Sequence, residues 1–486
     1  MKLDKIMKKV KIKSVSGSMS ANIKRVIDDS RKVSPGDLFI AMRGYSLDAS
    51  KFIDQAIASG AKAIIAEKDF KCPDGVTKIL ASDTRSAVSS IASNFYSNPS
   101  DELKVIGITG TNGKTTITYL LESIIKAYGR QAGVIGTINY RLKGRILPAT
   151  NTTPGALLLQ GMLADMVKMK IKYAVMEVSS HSLDQGRVDN VLFDVGIFTN
   201  LTSDHLDYHK TRARYFKAKK ILFHKLKREG CAVINTDDKK VATLKNSLES
   251  RVVTYGVRSK ADVTALDISL AMSGTSFTVK TRKTSFAIRT GLIGMHNVSN
   301  ILAAIASAIE LKIPVNAIIE GIRSMGSVPG RLEAVEGGQP FKVFVDFAHT
   351  EDALVNVLRL LKDVAEGRIV TVFGCGGNRD KTKRPLMGEA ACRYSDHVII
   401  TSDNPRFEEP ERIIREIERG IKKRFLNYDI VPDREEAIGK ALASALKDDI
   451  ILIAGKGHED YQIIKDKHIP FDDRKMALSI LERLCA

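Results

Sequence analysis

Cysteine is scarce in this chain, with five among 486 residues, and the five are scattered. Their number is odd and no two of them have the C-x-x-C spacing, so a disulfide framework is excluded as the basis of the fold. We expect reduced thiols in a cytoplasmic protein. The five residues are Cys72, Cys231, Cys375, Cys392 and Cys485.

Long apolar runs are also missing. No stretch approaches the roughly 20 residues that a helix needs to cross a bilayer, so we expect no insertion into a membrane. The basic start, residues 1–11, lacks the apolar core of a signal peptide. With 44% hydrophobic and 27% charged residues and no internal repeat or low-complexity segment, the composition is that of a globular enzyme.

Acidic residues are outnumbered, since 56 Asp and Glu stand against 75 Lys and Arg, which gives a formal net charge of +19. Such an excess is typical of nucleic-acid-binding proteins, and basic runs at 217–220 and 422–424 fit that idea. The basic residues are nevertheless spread along the chain, and no RNA- or DNA-binding motif accompanies them. We therefore predict a solvated basic surface that favours small anionic substrates, and no nucleic-acid partner.

The most informative segment is residues 107–116, Gly-Ile-Thr-Gly-Thr-Asn-Gly-Lys-Thr-Thr, which follows an apolar run and precedes a helical pattern. Glycines let backbone N–H groups converge on phosphate oxygens, and the helix N-terminus adds its positive dipole end. Lys114 is expected to reach the β- and γ-phosphates, and the Thr115 hydroxyl to bind Mg²⁺. The strict Walker spacing fails by one residue, so the template fits only from Gly110 onward. We predict that the chain binds a nucleoside triphosphate.

The pattern of strands and helices divides the chain into three predicted α/β domains at 1–102, 103–331 and 332–486. Turn-rich segments at 98–101 and 326–331 mark the linkers. The central part is expected to form a parallel sheet with crossover helices, and the last part a second doubly wound sheet. Strands are predicted at 38–41, 63–66, 79–81, 103–108, 132–136, 173–178, 195–198, 231–235, 343–346, 368–373, 397–401 and 450–454, and helices at 86–95, 117–128, 215–223 and 475–484.

Acidic, histidine and lysine side chains follow the predicted strands. Glu177 ends one of them, and an acid there is the usual second ligand of Mg²⁺, with helix capping as the alternative. The loop 204–209 holds two acids and two histidines, which suit a second cation, the orientation of a carboxylate, or a solvated loop. Spacing alone does not choose among these. For Lys219, in the amphipathic segment 215–223, spacing favours a charged surface stripe.

Taken in order, these motifs resemble those of the Mur ligases, and the resemblance covers essentially the whole chain. Within the family it is nearest to members that extend UDP-N-acetylmuramoyl-L-alanyl-D-glutamate. The shared strings are residues 107–116, Glu-Val-Ser-Ser-His at 177–181, Ser-Asp-His-Leu-Asp-Tyr-His at 203–209, Ala-Lys-x-x-Leu-Phe at 218–223, Gly-x-His-Asn at 294–297, Asp-Phe-Ala-His-Thr at 346–350, Gly-Asn-Arg-Asp-Lys-Thr-Lys-Arg-Pro at 377–385, Asp-Asn-Pro-Arg at 403–406 and Gly-Lys-Gly-His-Glu at 455–459.

The resemblance implies an ATP- and Mg²⁺-dependent ligase of peptidoglycan precursor synthesis, which we expect to be a cytoplasmic monomer. The γ-phosphoryl group of ATP passes to the D-Glu side-chain carboxylate, and the amine of meso-2,6-diaminopimelate attacks the acyl phosphate. One alternative is the same ligase with L-lysine as its amino acid. Another is a folylpolyglutamate synthetase-like ligase, which should lack the pattern seen at 29–39, and a third is a non-enzymatic nucleotide- or nucleic-acid-binding protein.

The resemblance also implies roles for individual residues around ATP. The residues matched to ATP contacts are Gly110, Thr111, Asn112, Gly113, Lys114, Thr115, Thr116, Asn297, Arg331 and Asp346. The catalytic residues are Lys114, Glu177, His205 and Lys219. Those expected at Mg²⁺ are Thr115, Glu177, His205 and Lys219. Lys219 matches a lysine that is carbamylated to N6-carboxylysine. Addition of CO₂ turns a cation into a carboxylate-like anion, which suits a hard metal ion.

Two further sets match substrate contacts. Those for the UDP-muramoyl dipeptide are Ser30, Thr152, Thr153, Ser179 and Arg187. Those for diaminopimelate are Arg379, Asp403, Asn404, Pro405, Arg406, Gly455 and Glu459, where Arg406 suits the distal carboxylate and Glu459 the distal ammonium. The sequence departs from the family at Phe347, where tyrosine is usual, at Glu351, where proline is common, and at Ala49-Ser50. The last change leaves uridine contacts from the loop 45–52 open.

Overall fold

The computed structural model describes residues 1–43, 48–202, 204–422 and 424–484. Three large sheets, each with its own helices, and one two-stranded sheet make an α/β protein of three domains, as predicted. The predicted boundaries at 102/103 and 331/332 fall in segments between the sheets and stay predictions. Residues 45–47 of the loop 45–52 lie outside the described residues. Among the described residues, no helix combines the length and apolarity needed to cross a membrane.

The first domain has a sheet of short strands. Its elements are helices α1 (Leu3–Ile6), α2 (Ile53–Ala58) and α3 (Thr84–Phe95), and strands β1 (Ile12–Ser16), β2 (Val26–Ile27), β3 (Leu38–Ile40), β4 (Ala63–Ala66) and β5 (Thr77–Ala81). The strand order is β1-β5-β4-β3-β2, with β1 antiparallel to β5 and the other pairs parallel. Strands β3 and β4 are apolar and buried at every position, as in parallel strands covered on both faces.

The central domain holds the largest sheet. Its strands are β6 (Lys104–Thr109), β7 (Ala132–Ile135), β8 (Asn139–Leu142), β9 (Arg145–Pro148), β10 (Tyr173–Glu177), β11 (Phe193–Phe198), β12 (Leu226–Asn235), β13 (Arg251–Gly256), β14 (Val263–Ala271), β15 (Gly274–Thr281) and β16 (Ser285–Thr290). Its helices are α4 (Lys114–Ala127), α5 (Ala156–Lys168), α6 (Ser180–Asp184), α7 (Leu206–His209), α8 (Arg212–Lys220), α9 (Lys239–Ala242), α10 (Met295–Glu310) and α11 (Val315–Arg323).

The central sheet is parallel in its middle and antiparallel at both edges. The strand order is β16-β15-β14-β13-β12-β11-β6-β10-β7-β8-β9, and the strands from β14 to β7 are parallel. The predicted parallel sheet is therefore confirmed in the middle, and strands that the prediction did not include, β8, β9, β15 and β16, extend it as antiparallel edges. In β15, buried positions alternate with half-exposed ones, because an antiparallel edge can leave one face in solvent.

The third domain is a second doubly wound unit. Its strands are β17 (Glu333–Ala334), β18 (Lys342–Asp346), β19 (Ile369–Phe373), β20 (His397–Ile400), β21 (Tyr428–Ile430), β22 (Ile450–Ala454), β23 (Tyr461–Ile464) and β24 (Lys467–Pro470), and its helices α12 (Glu351–Val364), α13 (Lys383–Tyr394), α14 (Pro410–Glu418), α15 (Arg434–Ala443) and α16 (Asp473–Leu484). The order β17-β18-β22-β19-β20-β21 is parallel apart from β17, and β23–β24 form a hairpin. The strands predicted here are confirmed to within one residue at each end.

Polar contacts join the first domain to the central one. The backbone N–H of Asn190 donates to Ser89 Oγ at 3.2 Å, and its side-chain amide donates to Ser90 Oγ at 3.2 Å. Its carbonyl accepts from Gln160 in α5 at 3.1 Å. Helix α3 also packs against α5. The first domain is therefore attached to the central one through α5 and through Asn190, in the segment that precedes β11, and not by a linker alone.

Candidate active site

The loop between β6 and α4 is built around two glycines. Gly110 and Gly113 have backbone φ angles of +145° and +87°, which residues other than glycine rarely adopt. A β-carbon at Gly110 would lie 1.8 Å from Thr199 Oγ1, and one at Gly113 would lie 2.3 Å from Asn300 Oδ1. Glycine is therefore required at both positions, as the phosphate-loop template predicts.

The strand next to β6 also holds the loop. Asn200, just after β11, accepts the N–H of Thr111 at its backbone oxygen (3.0 Å) and the N–H of Asn112 at Oδ1 (2.8 Å). Thr199 donates from Oγ1 to the carbonyl of Asn112 at 2.6 Å. On the opposite side, Asn112 Nδ2 donates to Asp352 Oδ2 of the third domain at 3.2 Å. Sequence reasoning missed these three supports, which come from Thr199, Asn200 and Asp352.

Two lysine amines meet at this loop. Lys114 Nζ donates to the carbonyls of Gly110 and Thr111 at 3.0 and 2.7 Å, so it is folded back on its own loop. Lys219 is 2% exposed, its Nζ donates to the same Gly110 carbonyl at 2.8 Å, and it lies 4.4 Å from the ring centre of Tyr215. Burial lowers the pKa of Lys219 well below its usual range, and the charge of Lys114 lowers it further. Lys219 is thus buried beside the phosphate loop, and the surface stripe favoured by spacing is wrong.

A hydroxyl in the first turn of α4 faces a carboxylate at the end of β10. Thr115 Oγ1 donates to Glu177 Oε1 at 3.0 Å, and Glu177 is 1% exposed. Thr137 donates its N–H and its hydroxyl to the same carboxylate, each at 2.9 Å. The guanidinium of Arg331 reaches Thr115 Oγ1 at 3.5 Å. Thr116, the next residue of α4, is buried. Two hard oxygen donors beside a cation-rich loop fit a magnesium ion between the protein and a triphosphate.

His205 lies in a cluster of rings. It has a left-handed backbone (φ +54°), its ring centre is 4.7 Å from that of His181, and its Nε2 is 3.4 Å from Asp204 Oδ2. Burial lowers the pKa of His205, and the negative charge of Asp204 raises it by a smaller amount. The charge of Lys219 lowers this pKa as well. In the described part of the chain, no group of three His, Cys, Asp or Glu residues forms a metal site. His205 and Lys219 fit a cation only if the lysine carries a carboxylate.

The other residues matched to ATP lie around the entrance to α10 and the start of the third domain. Asn297 donates from Nδ2 to the Ile293 carbonyl at 2.9 Å and accepts from Asn300 at 3.1 Å. The guanidinium carbon of Arg331 lies over the Phe347 ring, 5.0 Å from its centre. Asp346, at the end of β18, accepts the N–H of Leu332 at 2.7 Å, and burial raises the pKa of its carboxyl. Arg331 therefore connects the third domain to the phosphate loop.

Four of the five residues matched to the muramoyl dipeptide lie together. Thr152 Oγ1 is 3.1 Å from Thr137 Oγ1, and Thr153 donates to the carbonyl of Glu177 at 2.9 Å. Ser179 caps helix α6, and Arg187 donates to the Thr153 carbonyl at 3.0 Å. The fifth residue, Ser30, lies in the first domain, where its hydroxyl donates to Gln55 at 2.8 Å. The set thus extends from the Glu177 strand to the first sheet.

The third-domain residues form a pocket lined by paired charges. Asn404 is 2% exposed and donates to Glu459 Oε2 at 2.7 Å. Arg406, with φ +54°, donates to the Gly377 carbonyl at 2.9 Å. Burial lowers the pKa of Arg406, and the neighbouring charge of Arg379 lowers it further.

Close backbone contacts fix the shape of this pocket. A β-carbon at Gly455 would lie 2.6 Å from Asp403 Oδ2, and one at Gly377 would lie 1.9 Å from the carbonyl oxygen of Pro405. A support that sequence reasoning missed is Arg384, which is fully buried. It binds both oxygens of Glu408 at 3.0 Å and donates to the Gly376 carbonyl at 3.0 Å. All seven residues matched to diaminopimelate thus line one region.

The fold and the phosphate loop define the class, a three-domain α/β enzyme that binds a nucleoside triphosphate. Comparison with known families gives three matches. The profile described as Mur ligase family, catalytic domain, matches residues 22–105, the Mur ligase middle domain matches 108–308, and the Mur ligase, glutamate ligase domain, matches 330–457. The chain belongs to the Mur ligase family.

Individual relatives match over their full length. A protein of Caldanaerobacter subterraneus subsp. tengcongensis is 46% identical over 481 residues, 99% of each chain, and one of Clostridium acetobutylicum is 44% identical over 486 residues, 100% of each. Both are named UDP-N-acetylmuramoyl-L-alanyl-D-glutamate–2,6-diaminopimelate ligase, the second as ligase 1. A solved structure with the same ligase name is 32% identical, with a TM-score of 0.71, covering 100% of this chain and 99% of that one.

Proposed function

We propose that this protein is an ATP-dependent ligase that joins meso-2,6-diaminopimelate to the D-Glu side-chain carboxylate of UDP-N-acetylmuramoyl-L-alanyl-D-glutamate. The observation that carries the proposal is the pairing of a cation-rich phosphate loop with a pocket of paired charges in the third domain. The loop suits a triphosphate, and the pocket suits the zwitterionic end of an amino acid. Both belong to a chain whose full-length relatives bear that ligase name.

The phosphate loop supplies positive charge for phosphoryl transfer. Lys114 would turn from its loop carbonyls to the triphosphate, and Arg331, at the predicted boundary with the third domain, would add a second charge. Mg²⁺ held by Thr115 and Glu177 would neutralise charge that develops on the transferred group. The D-Glu carboxylate attacks the γ-phosphorus and ADP leaves. The amine then attacks the acyl carbon, forms the amide and releases phosphate.

Lys219 and His205 would complete a second metal site once Lys219 is carbamylated. A free ammonium there would add to the charge of Lys114 and repel a cation, whereas a carbamate would attract one. The buried position supports this role, because a carbamate in contact with bulk water hydrolyses more readily than one held among neighbours. The low pKa of Lys219 favours the neutral amine that reacts with CO₂.

The nucleotide substrate would lie between the first and central domains. Ser30 would contact the uridine end, and Thr152, Thr153 and Ser179 the muramoyl dipeptide near Glu177. Arg187 would pair with a carboxylate of the dipeptide, since its guanidinium is permanently charged and can bind two oxygens at once. This arrangement would direct the D-Glu carboxylate to the phosphate loop.

The third domain would choose the amino acid. Arg406, with Arg379 beside it, would bind the distal carboxylate of diaminopimelate, and Glu459 the distal ammonium. L-Lysine has the ammonium but lacks that carboxylate, so it would leave Arg406 unpaired. We also propose a monomer that works in the cytoplasm. The reduced state of the four described cysteines supports that location.

The test is ATP-dependent phosphate release by the purified protein with UDP-N-acetylmuramoyl-L-alanyl-D-glutamate and diaminopimelate. Release should require both substrates and Mg²⁺, and should be slower with L-lysine. Faster phosphate release with L-lysine would show that the ligase reaction is as proposed but that its amino-acid substrate is L-lysine. Stimulation by a reduced folate with glutamate, and not by the muramoyl substrate, would overturn the proposal in favour of a folylpolyglutamate synthetase-like ligase.

A further inference from the structure

Lys456 is a lysine with no exposed surface, and it lies in the third-domain pocket between β22 and β23. Its ammonium is 3.5 Å from Glu459 Oε2 and 3.4 Å from Asn404 Oδ1, and it donates to the carbonyl of Tyr461. Burying an ammonium is costly unless it is paired and hydrogen-bonded, and apolar residues of similar volume often stabilise a fold as well. A buried charge at this place therefore indicates more than packing.

The contacts of Lys456 fix two neighbouring side chains. Asn404 accepts from Lys456 and from the N–H of Ile463 (2.9 Å) at Oδ1, so its Nδ2 is left to donate to Glu459 Oε2 at 2.7 Å. Glu459 receives both of these partners, Lys456 and Asn404, at Oε2. Within the described ranges no hydrogen bond is made to its Oε1, which is thus available to a donor on a ligand.

Glu459 faces charges from several elements. Asp403 follows β20, Arg406 lies two residues beyond Asn404, and Arg434 begins α15; with Lys456 and the phenol of Tyr461 they are the titratable groups around it. Burial and the charge of Asp403 raise the pKa of Glu459, and Lys456 opposes both. Without Lys456, the pKa of Glu459 would be higher still, which shifts the carboxyl toward the protonated form that cannot pair with an ammonium.

We propose that Lys456 is a positioning residue that keeps Glu459 anionic and directs its Oε1 to the distal ammonium of a diamino acid. This inference rests on the proposed function. Lys456 does not touch the substrate; it acts through Glu459 and Asn404. The competing explanation is that Lys456 only stabilises the turn before β23 through its hydrogen bond to the Tyr461 carbonyl. A purely structural role of that kind would affect stability without making amino-acid binding depend on pH.

The experiment compares Lys456→Met with Lys465→Met, which removes an exposed lysine from the same hairpin. KM for diaminopimelate is measured from about pH 6.5 to about pH 8.5, a range in which the substrate ammonium stays charged. In Lys456→Met the carboxylate should take up a proton as the pH falls through its raised pKa. KM should therefore rise at least about tenfold at the acid end and recover toward wild type at the alkaline end. KM values for ATP and the nucleotide, and all values for Lys465→Met, should stay within about twofold.

A double-mutant cycle keeps the inference falsifiable if Lys456→Met is unstable. Glu459→Gln should raise KM for diaminopimelate without a pH dependence, and Lys456→Met/Glu459→Gln should be no worse than Glu459→Gln alone, because both changes act at one contact. Additive effects, or a pH-independent loss in Lys456→Met, would overturn the role. If wild type releases no phosphate with the muramoyl substrate and diaminopimelate, the proposed function fails instead.

Discussion

Lys114 and Lys219 donate to the same carbonyl oxygen, that of Gly110, at 3.0 and 2.8 Å. Burial disfavours the charged form of both amines, and the repulsion between two ammonium groups that share one acceptor adds to the effect. Lys219 gives up its proton more readily as a result, since its pKa is lowered well below the usual range. Carbamylation at Lys219 would replace that repulsion with an attraction to Lys114. The pair thus links the phosphate loop to the proposed second metal site.

Lys219→Ala should lose most of the ligase activity, because no carbamate can then form. Short carboxylic acids such as acetate should restore part of it by occupying the vacated space beside Gly110. The measurement is phosphate release with and without added acid. Lys217→Ala is the matched control, since Lys217 is exposed on the same helix. Turnover close to wild type in Lys219→Ala without any acid would refute the carbamate role.

Lys114→Ala should abolish most phosphoryl transfer while the fold stays intact. The change removes a charge that faces the triphosphate, and loss of one such group commonly lowers kcat about 10²- to 10³-fold. Circular dichroism and a melting curve check the fold, and phosphate release checks the chemistry. Lys126→Ala, at an exposed position of the same helix, should behave as wild type. A folded Lys114→Ala protein with unchanged kcat would contradict the phosphate-loop assignment.

Much of the fold follows from the sequence because parallel strands leave a plain signal. Buried strands such as Ile450–Ala454 are continuous apolar runs, and the structure places a strand at that range. The edge strands of the central sheet were harder to predict. Along Ser285–Thr290, exposed positions alternate with more buried ones. The strand pairs with β15, and this pairing depends on a turn and on tertiary contacts that composition does not reveal.

The candidate site divides in the same way. The glycines of the phosphate loop and the Glu177 strand end have local signals that the motif captures. Lys456 and Arg384 fall within the shared strings at 455–459 and 377–385 but were given no role, because a charged residue in a sequence is usually a solvated one, whereas both are fully buried here. The contact between Asn112 and Asp352 joins residues of different domains and depends on tertiary placement alone. Sequence patterns therefore identify the groups expected to touch ligands better than the groups that support them.

Helix α11 lies so close to α4 that its glycine is required. A β-carbon at Gly321 would lie 2.4 Å from Ile124 Cα, a backbone atom that cannot turn away. Gly321→Ala should therefore cost about 1–3 kcal/mol of unfolding free energy through overpacking. Gly439→Ala is the control in α15, where the nearest atom is Ile480 Cδ1 at 4.0 Å. It should instead stabilise by about 0.5–1 kcal/mol. Denaturant unfolding of each variant gives the sign of its change in unfolding free energy. Equal changes in Gly321→Ala and Gly439→Ala would contradict the explanation by close packing.

Arg406 offers the sharpest prediction about specificity, because its guanidinium would pair with a carboxylate that L-lysine lacks. Loss of a partly desolvated, charge-assisted pair costs about 2–5 kcal/mol, or roughly 30- to 4000-fold in selectivity. Arg406→Ala should raise KM for diaminopimelate strongly and narrow its advantage over lysine, while ATP and the muramoyl substrate are handled as before. Arg415→Ala, on the exposed face of α14, should change neither. The measurement is kcat/KM for both amino acids in each protein. A variant that keeps the full preference for diaminopimelate would remove Arg406 from the specificity argument and leave the ligase reaction standing.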